Sequence, residues 1–363
     1  MMRAIGAVLI GVAVLTSACQ QKSRDLTEQE KKTVMNTTTD LKPRCVGRYL
    51  IDLPGDVRSA GVVKLQGVIV DFSSKTQEQF EHDMEQLEVE LKATKSPTGY
   101  RYLYEYGKVR NIDHSRYFVS LGSRASPSDA VRFIEAYKWD RGYQIKLNID
   151  AVDFLHSEDR DQPWLNDLPV KNDVPEKSRR VFDLLEKLEG RRDDVIPTQP
   201  GACFVGGFLP GKAVSEDEEI QSFFALPDKP DVGFSIETFG NMKPGDTLLR
   251  RIKDETVSYA LKAAEGRFLR TGSFDTVGGM KAEESLIAAL TVDTPPVHGF
   301  RFSLETNYAS GAASPYLLLD MDVGASNFFT KGEPVTKASL TEGEAIALWD
   351  AVSRTLRRRP NAF

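Results

Sequence analysis

The sequence predicts an α+β protein of two similar lobes. Three observations carry this: a polar, proline-bearing connector near the midpoint, period-two runs of aromatic and β-branched residues on either side of it, and the same order of strand and helix signals in each half. At 363 residues the chain is longer than one hydrophobic core usually serves. The connector runs from Gly190 to Gly201 and holds Arg191-Arg192-Asp193-Asp194, Pro197 and Pro200, which divides the chain into lobes over residues 44–196 and 197–363.

Ahead of the lobes stand Met1-Met2-Arg3, an apolar run from Ala4 to Leu15, and Thr16-Ser17-Ala18-Cys19. One positive charge, a short apolar stretch and small residues before a cysteine make a bacterial lipoprotein signal over residues 1–18, too short to span a bilayer. Cys19 would then carry the lipid, and the mature chain is expected on a membrane facing the periplasm. Thr16 stands where such signals usually carry Leu, so an ordinary secretory signal cut nearby is the alternative. Gln20 rather than Asp after the cysteine favours the outer over the inner membrane. Residues 19–43 are polar and charged with few aliphatics, the composition of a flexible tether.

The first lobe opens with a strand at Cys45 to Asp52, stopped by Pro54-Gly55, and a short strand pair follows around Val62 to Phe72. Thr76 then precedes a helix from Gln77 to Ala93, with Phe80, Met84, Leu87 and Leu91 along its apolar face. Strands are expected at Tyr100 to Val109, Ser115 to Leu121, Val131 to Lys138 and Tyr143 to Ile149, the last two joined as a hairpin by Asp140-Arg141-Gly142. Tyr100, Tyr102, Tyr104 and Tyr106 would share one strand face, as part of the core or as a contact surface. A helix from Glu176 to Glu189 closes the lobe.

The second lobe repeats that outline. A strand opens at Cys203, another spans Val232 to Thr238, and a helix covers Thr247 to Ala264. Strands follow at Arg267 to Thr276, Met280 to Leu290, Phe300 to Thr306 and Tyr316 to Asp322. Thr341 and Glu344 form a capping box for a last helix reaching Arg358, with Ala345, Leu348, Trp349, Val352 and Leu356 as its inner stripe.

If Cys19 is lipidated, Cys45 and Cys203 remain as an even pair in an oxidising compartment. Each opens a similar strand-like segment, which favours a disulfide joining the halves over two buried free thiols. By a chain-entropy account, closing the long loop from Cys45 to Cys203 is worth roughly 4 to 5 kcal/mol.

The chemistry-bearing residues point away from an enzyme with a local motif. His82, His114, His156 and His298 are the only histidines, and none has metal-ligand spacing. His156 with Glu158, Asp159 and Asp161 reads as a solvated loop, and a dispersed enzymatic site would require His156, Asp159 and Asp161 to meet another carboxylate in one pocket. Ser235, in Gly233-Phe234-Ser235-Ile236-Glu237, misses the nucleophile elbow because it falls inside a strand. Gly206-Gly207 and Gly278-Gly279 lack the lysine and helix of a phosphate loop. Lys plus Arg number 47 against 53 for Asp plus Glu, a mildly acidic balance that argues against a nucleic-acid partner. No catalytic residue, cofactor or metal is expected.

Three motifs point to a family. Cys45-Val46-Gly47-Arg48-Tyr49-Leu50-Ile51-Asp52-Leu53-Pro54 near the start, Gly201-Ala202-Cys203 at the midpoint, and Ala345-Ile346-Ala347-Leu348-Trp349-Asp350-Ala351-Val352 followed by Arg357-Arg358-Arg359-Pro360 resemble the two-domain immunity proteins that neutralise type VI secretion phospholipase effectors. The resemblance covers nearly the whole mature chain. It implies a claw of two lobes, each an antiparallel sheet packed with two helices, gripping a lipase in the periplasm and holding its lid closed. It also implies a protein partner, the secreted phospholipase, with no catalysis and no cofactor. The effector-binding residues follow no general motif and stay unassigned at this stage. A ligand-binding or envelope-assembly lipoprotein is the rival reading, marked by a large concave apolar pocket between the lobes.

Overall fold

The computed structural model describes residues 25–213, 217–243, 245–307, 311–330 and 332–363. The expected signal at residues 1–18 and the lipidation site Cys19 lie outside the described residues.

The first half carries α1 (Glu28–Thr38), β1 (Leu41–Val46), β2 (Tyr49–Pro54), β3 (Arg58–Leu65), β4 (Val68–Ser74), α2 (Gln77–Ala93), β5 (Leu103–Gly107), β6 (Ser115–Leu121), β7 (Val131–Asp140), β8 (Tyr143–Val152), α3 (Val174–Lys187) and a short β9 (Glu189–Gly190). The second half carries β10 (Gly201–Phe204), β11 (Gly207–Pro210), β12 (Glu218–Ala225), β13 (Val232–Phe239), α4 (Leu248–Arg251), α5 (Glu255–Ala263), β14 (Arg267–Asp275), β15 (Lys281–Leu290), β16 (His298–Thr306), β17 (Tyr316–Val323), α6 (Glu342–Ser353) and β18 (Arg357–Arg358).

The halves share one topology. A single 12-stranded sheet runs in the order β14-β15-β16-β17-β13-β12-β3-β4-β8-β7-β6-β5, so that reading outward from its centre gives matching paths, β3-β4-β8-β7-β6-β5 and β12-β13-β17-β16-β15-β14. The seam is the antiparallel pairing of β3 with β12, where Gly61 faces Ser222 and Val62 faces Gln221. Separate sheets for the two lobes were the sequence expectation, and the seam replaces them. β3 and β12 would each have been an open edge with unpaired amides and carbonyls, and pairing them removes both.

The internal symmetry extends to the small hairpins. β2 pairs with β1 on one side and β18 on the other, while β11 lies in the same way between β10 and β9. Gly47 and Cys203 exchange backbone hydrogen bonds of 2.7 Å in both directions, and the Cys45–Cys203 disulfide joins the hairpins with an S–S distance of 2.08 Å and a Cα separation of 5.6 Å. Two arginines occupy corresponding places after the last helix of each half. Buried Arg191 donates to the carbonyls of Gly207 and Phe204, and buried Arg359 donates to those of Pro197, Gln199 and Gly201. Burial pushes the Arg359 guanidinium down to about 10, with Arg48 and Arg191 nearby adding to the effect; it remains a cation at neutral pH.

One face of the sheet holds the core. Val63, Val70, Leu147 and Ile134 in the first half, and Ile236, Phe302, Leu304 and Leu319 in the second, belong to one buried apolar cluster. α3 covers its first half through Val181, Leu184 and Leu185. α6 covers its second half, where Trp349 meets Phe302 edge-on at 5.9 Å and its indole N–H donates to the Glu284 carboxylate at 3.0 Å. Burial pushes the Glu284 carboxyl up, but hydrogen bonds from Arg354 and Trp349 with the charge of Arg270 outweigh it and hold the group below its usual range.

Several expected boundaries move. The strand at Cys45 to Asp52 is two strands, because Gly47 at φ +54 turns the chain back on itself. Residues 28–38, expected within a flexible tether, form α1: Thr27 and Glu30 make a capping box, and the buried Glu30 carboxylate accepts the Thr341 hydroxyl at 2.7 Å. Polar contacts to the start of α6, rather than an aliphatic stripe, hold α1 in place. The helix over Thr247 to Ala264 breaks at Asp254, whose side chain caps α5. The last helix ends at Ser353, and Arg357 and Arg358 instead extend along Leu50 and Tyr49.

Candidate functional site

The two faces of the sheet differ in how they are closed, and the outer face is where the halves part company. In the first half, α2 lies across the outward residues of the sheet. Its Phe80, Met84 and Leu91 pack with Leu103, Phe118 and Tyr137 into a second apolar cluster, and capping by Thr76 with Gln79 starts the helix. In the second half, the corresponding cover is thin. α4 is held at the sheet by the Leu249 amide donating to Glu283 at 2.7 Å and by an Arg251–Glu305 ion pair, whereas α5 buries no residue and leaves Tyr259 exposed.

The result is an open, acidic cleft of about 370 Å³ on the outer face of β12, β13, β16 and β17. Phe223, Ser235, Glu237, Arg301, Asp320 and Asp322 line its floor, and Phe328 and Phe329 form a wall. Period-two alternation sets this up: Leu319 and Met321 point into the core, so Asp320 and Asp322 point out. Arg301, across the ladder from Asp322, bonds to Asp320 at 2.8 Å and lies 3.5 Å from Asp322. Burial pushes the carboxyls of Glu237, Asp320 and Asp322 above their ordinary range, while Arg301 pulls each of them back. Asp320 is only 4% exposed. Its second oxygen, Oδ1, meets no donor in hydrogen-bond geometry, although Ser303 across the ladder is close enough to lower its pKa.

The wall is fixed rather than loose. The Asn327 amide donates to the Pro230 carbonyl at 2.7 Å, its carbonyl oxygen accepts the Phe329 amide at 2.8 Å, and Asp231 accepts the Gly324 and Ser339 amides at 3.1 and 2.9 Å. The strap thus holds Phe328 outward with 75% of its surface exposed. Between this cleft and α2 the middle of the outer face is left bare by the described residues, with Val62 at 52% and Ile69 at 43% exposure on neighbouring strands. Apolar side chains in such a run, rimmed by charge, are the composition of a contact surface.

The residues singled out by sequence go to separate places. His156 contacts Asp153 at 3.0 Å, Asp159 accepts the Ser128 hydroxyl at 2.8 Å, and Asp161 lies beside Arg160, so His156, Asp159 and Asp161 do not converge. His82 contacts Gln86 and His114 contacts Glu81. Among the described residues no three His, Cys, Asp or Glu side chains are grouped to hold a metal ion. Ser235 lies inside β13, as expected, and lines the acidic cleft. The tyrosine ladder is broken: Tyr100 precedes the strand, and a bulge between Leu103 and Glu105 disrupts the alternation. Tyr102 packs with the α2 cluster, Tyr104 lies under Arg132 at 3.6 Å, and Tyr106 pairs with Lys92 at 4.2 Å. Sequence reading missed the cleft itself. Its one visible signal was Asp320 and Asp322 alternating with Leu319 and Met321 in an otherwise apolar strand.

Comparison with known proteins places this architecture. Residues 42–191 match the family model of the Tle cognate immunity protein 4 N-terminal domain, and residues 195–361 that of its C-terminal domain. Among solved structures, the chain is similar to one in the crystal structure of the Tle4-Tli4 complex, at TM-score 0.66 and 21% identity over 90% of this chain and 99% of that one. It is also similar to the apo immunity protein TplEi of the type VI secretion system from Pseudomonas aeruginosa, at TM-score 0.63 and 21% identity over 89% and 98%. The same immunity protein complexed with an "L" peptide aligns at TM-score 0.61 and 20% identity over 89% and 99%. No curated protein matches the chain in sequence.

Proposed function

Because the chain belongs to the Tle cognate immunity protein 4 family, we propose that it works by binding a cognate type VI secretion lipase effector and inhibiting it sterically. The observation that carries this reading is the pair of family models lying end to end over residues 42–191 and 195–361. The function requires a binding surface and no chemistry of its own, and an inhibitor need only bind the inactive state of its target better than the active one.

On this reading the effector sits on the outer face of the sheet, over the bare strip at Val62 and Ile69. The α2 wing and the wing carrying Phe328 act as the two jaws of a claw, holding the lipase lid closed. Exposed apolar residues at the centre with charge at the margins suit the anatomy of a protein interface. Residues 1–18 and Cys19 supply the address, a lipoprotein signal that leaves the inhibitor anchored at the periplasmic side of the outer membrane, where a secreted lipase attacks. The disulfide between Cys45 and Cys203 suits that oxidising compartment.

Co-expression tests the inhibitory role. Cells producing the effector in the periplasm are expected to lyse without this chain and to survive with it; lysis in both cases contradicts the reading. A soluble variant lacking Cys19 tests the anchor separately, since equal protection by that variant would remove any need for lipidation.

A further inference from the structure

The 12-stranded sheet divides the molecule into an inner and an outer side, and the chain enters on the inner one. α1 packs on α6 and β2, and both of these carry side chains of the buried cluster beneath the sheet, Trp349 and Leu348 on α6, Tyr49 and Ile51 on β2. It lies ahead of residue 42, where the match to the family's N-terminal domain begins, and so stands outside the two-domain frame. Its seat is nonetheless built. The Glu30 carboxylate, 4% exposed, accepts the Thr27 amide at 2.8 Å and the Thr341 hydroxyl at 2.7 Å. Leu26 closes so tightly on Gly343 that a Cβ there would lie 2.7 Å from its Cδ2. Burying a carboxylate is unfavourable unless its partners are supplied, and a plain tether needs no such seat.

What the seat changes is reach. From Cys19 to Asp25, the first described residue, the backbone spans at most about 20 Å even when fully extended. With α1 released, the span from Cys19 to Leu41 would approach about 75 Å, more than the width of about 50 Å expected for a 12-stranded sheet. We propose that α1 is a short-leash clamp: it holds the lipid anchor at the inner side of the sheet, so that this side lies against a phospholipid surface and the outer face, with Val62, Ile69 and Phe328, points away from it. The sheet itself then stands between the lipid and the outer face, and the membrane does not cover the surface that an effector would meet. Lys31 and Lys32, exposed on α1, would add attraction for anionic headgroups.

This assignment rests on the lipoprotein reading of Cys19 in the proposed function, and its test separates the two. The full chain, lipidated in bacterial cells, is reconstituted in vesicles of phosphatidylethanolamine and phosphatidylglycerol that carry an energy-transfer acceptor on their headgroups. A donor is attached at one exposed position, through Met35→Cys on α1 or Val62→Cys on the outer face. The Met35→Cys donor is expected to lose most of its emission and the Val62→Cys donor to keep most of its own. A Gly-Ser linker of about 20 residues inserted after Gln21 adds about 25 Å of mean reach without touching the folded part, and should erase the contrast. Glu30→Lys, which places an unpaired cation in the seat, should erase it as well. Equal loss at both positions with the natural leash, or a contrast that survives the linker or Glu30→Lys, overturns the assignment. Absence of lipid on Cys19, read from the mass of the N-terminal peptide, overturns the anchor and the assignment with it. Vesicles that show the contrast yet bind no effector uphold the assignment and overturn the inhibitory role.

Discussion

The two halves of the molecule have the same strand order, the same hairpin, and a helix against the same inner face, yet their outer faces have been finished differently. In the first half, α2 closes the sheet with Phe80, Met84 and Leu91. In the second, α5 buries nothing and the sheet presents Asp320, Asp322, Glu237 and Phe328 instead. Shared features maintain the frame, because both halves must bury the same apolar strands. Features present in only one half are free of that duty. The open acidic face of the second half is therefore where binding specificity is best sought, whereas the first half's outer face is occupied by the apolar packing of α2.

The largest expected effect tests the shared inner face. Trp349→Ala removes a fully buried ring that packs on Phe302 and donates to Glu284, and is expected to cost about 3–5 kcal/mol in denaturant unfolding. A loss under about 1 kcal/mol would break the comparison at its base. Next comes the cross-link between equivalent hairpins. Replacing Cys45 and Cys203 with serine should lower stability by about 2–5 kcal/mol, and reductant should then leave the melting temperature of the variant unchanged while lowering that of wild type.

The outer faces should separate cleanly under substitution. Met84→Ala, beneath α2, is expected to cost about 2–4 kcal/mol, whereas Tyr259→Ala on α5 should stay within about 0.5 kcal/mol. Equal costs would mean that α5 closes the second half as α2 closes the first. The smallest effect concerns pH. Burial raises the folded-state pKa of Asp320, so its contribution to stability is fully present below the ordinary carboxylate value and is lost as pH rises through the raised one. Arg301 and Glu305 act on it from β16, Arg301 lowering and Glu305 raising its pKa. Asp320→Asn cannot lose a proton there, so its melting temperature should fall less than that of wild type as pH rises from the acidic range to neutral. A steeper fall in the variant would show that the carboxylate is stabilising and the cleft is structural.

Much of the frame was legible in the sequence, because it rests on local signals. α2 could be read from Phe80, Met84, Leu87 and Leu91 behind a Thr76 cap, and the hairpin at Asp140-Arg141-Gly142 from its turn residues, which take φ values of +50 at Arg141 and +88 at Gly142. The repeat of elements across the midpoint could be read as well. Three things could not. α1 is held by Glu30 and Thr341 across most of the chain length, with no apolar stripe to mark it. β12 passed unread although Ile220 and Phe224 alternate inward, because the acidic run before it obscured the pattern. The cleft draws on four strands and a strap, and a sequence shows which residues of a strand share a face but not which strands become neighbours. Asp320, Glu237 and Arg301 meet only because β17 lies between β13 and β16.

The central claim is that the outer face of the second half contacts the effector. Hydroxyl-radical footprinting of the chain, free and bound to its effector, tests that most directly, since Phe328 is a reactive side chain exposed to solvent in the free protein. Strong protection of Phe328 in the complex is the expected result. Reactivity at Phe328 equal to that of the free chain, with protection confined elsewhere, would contradict the account.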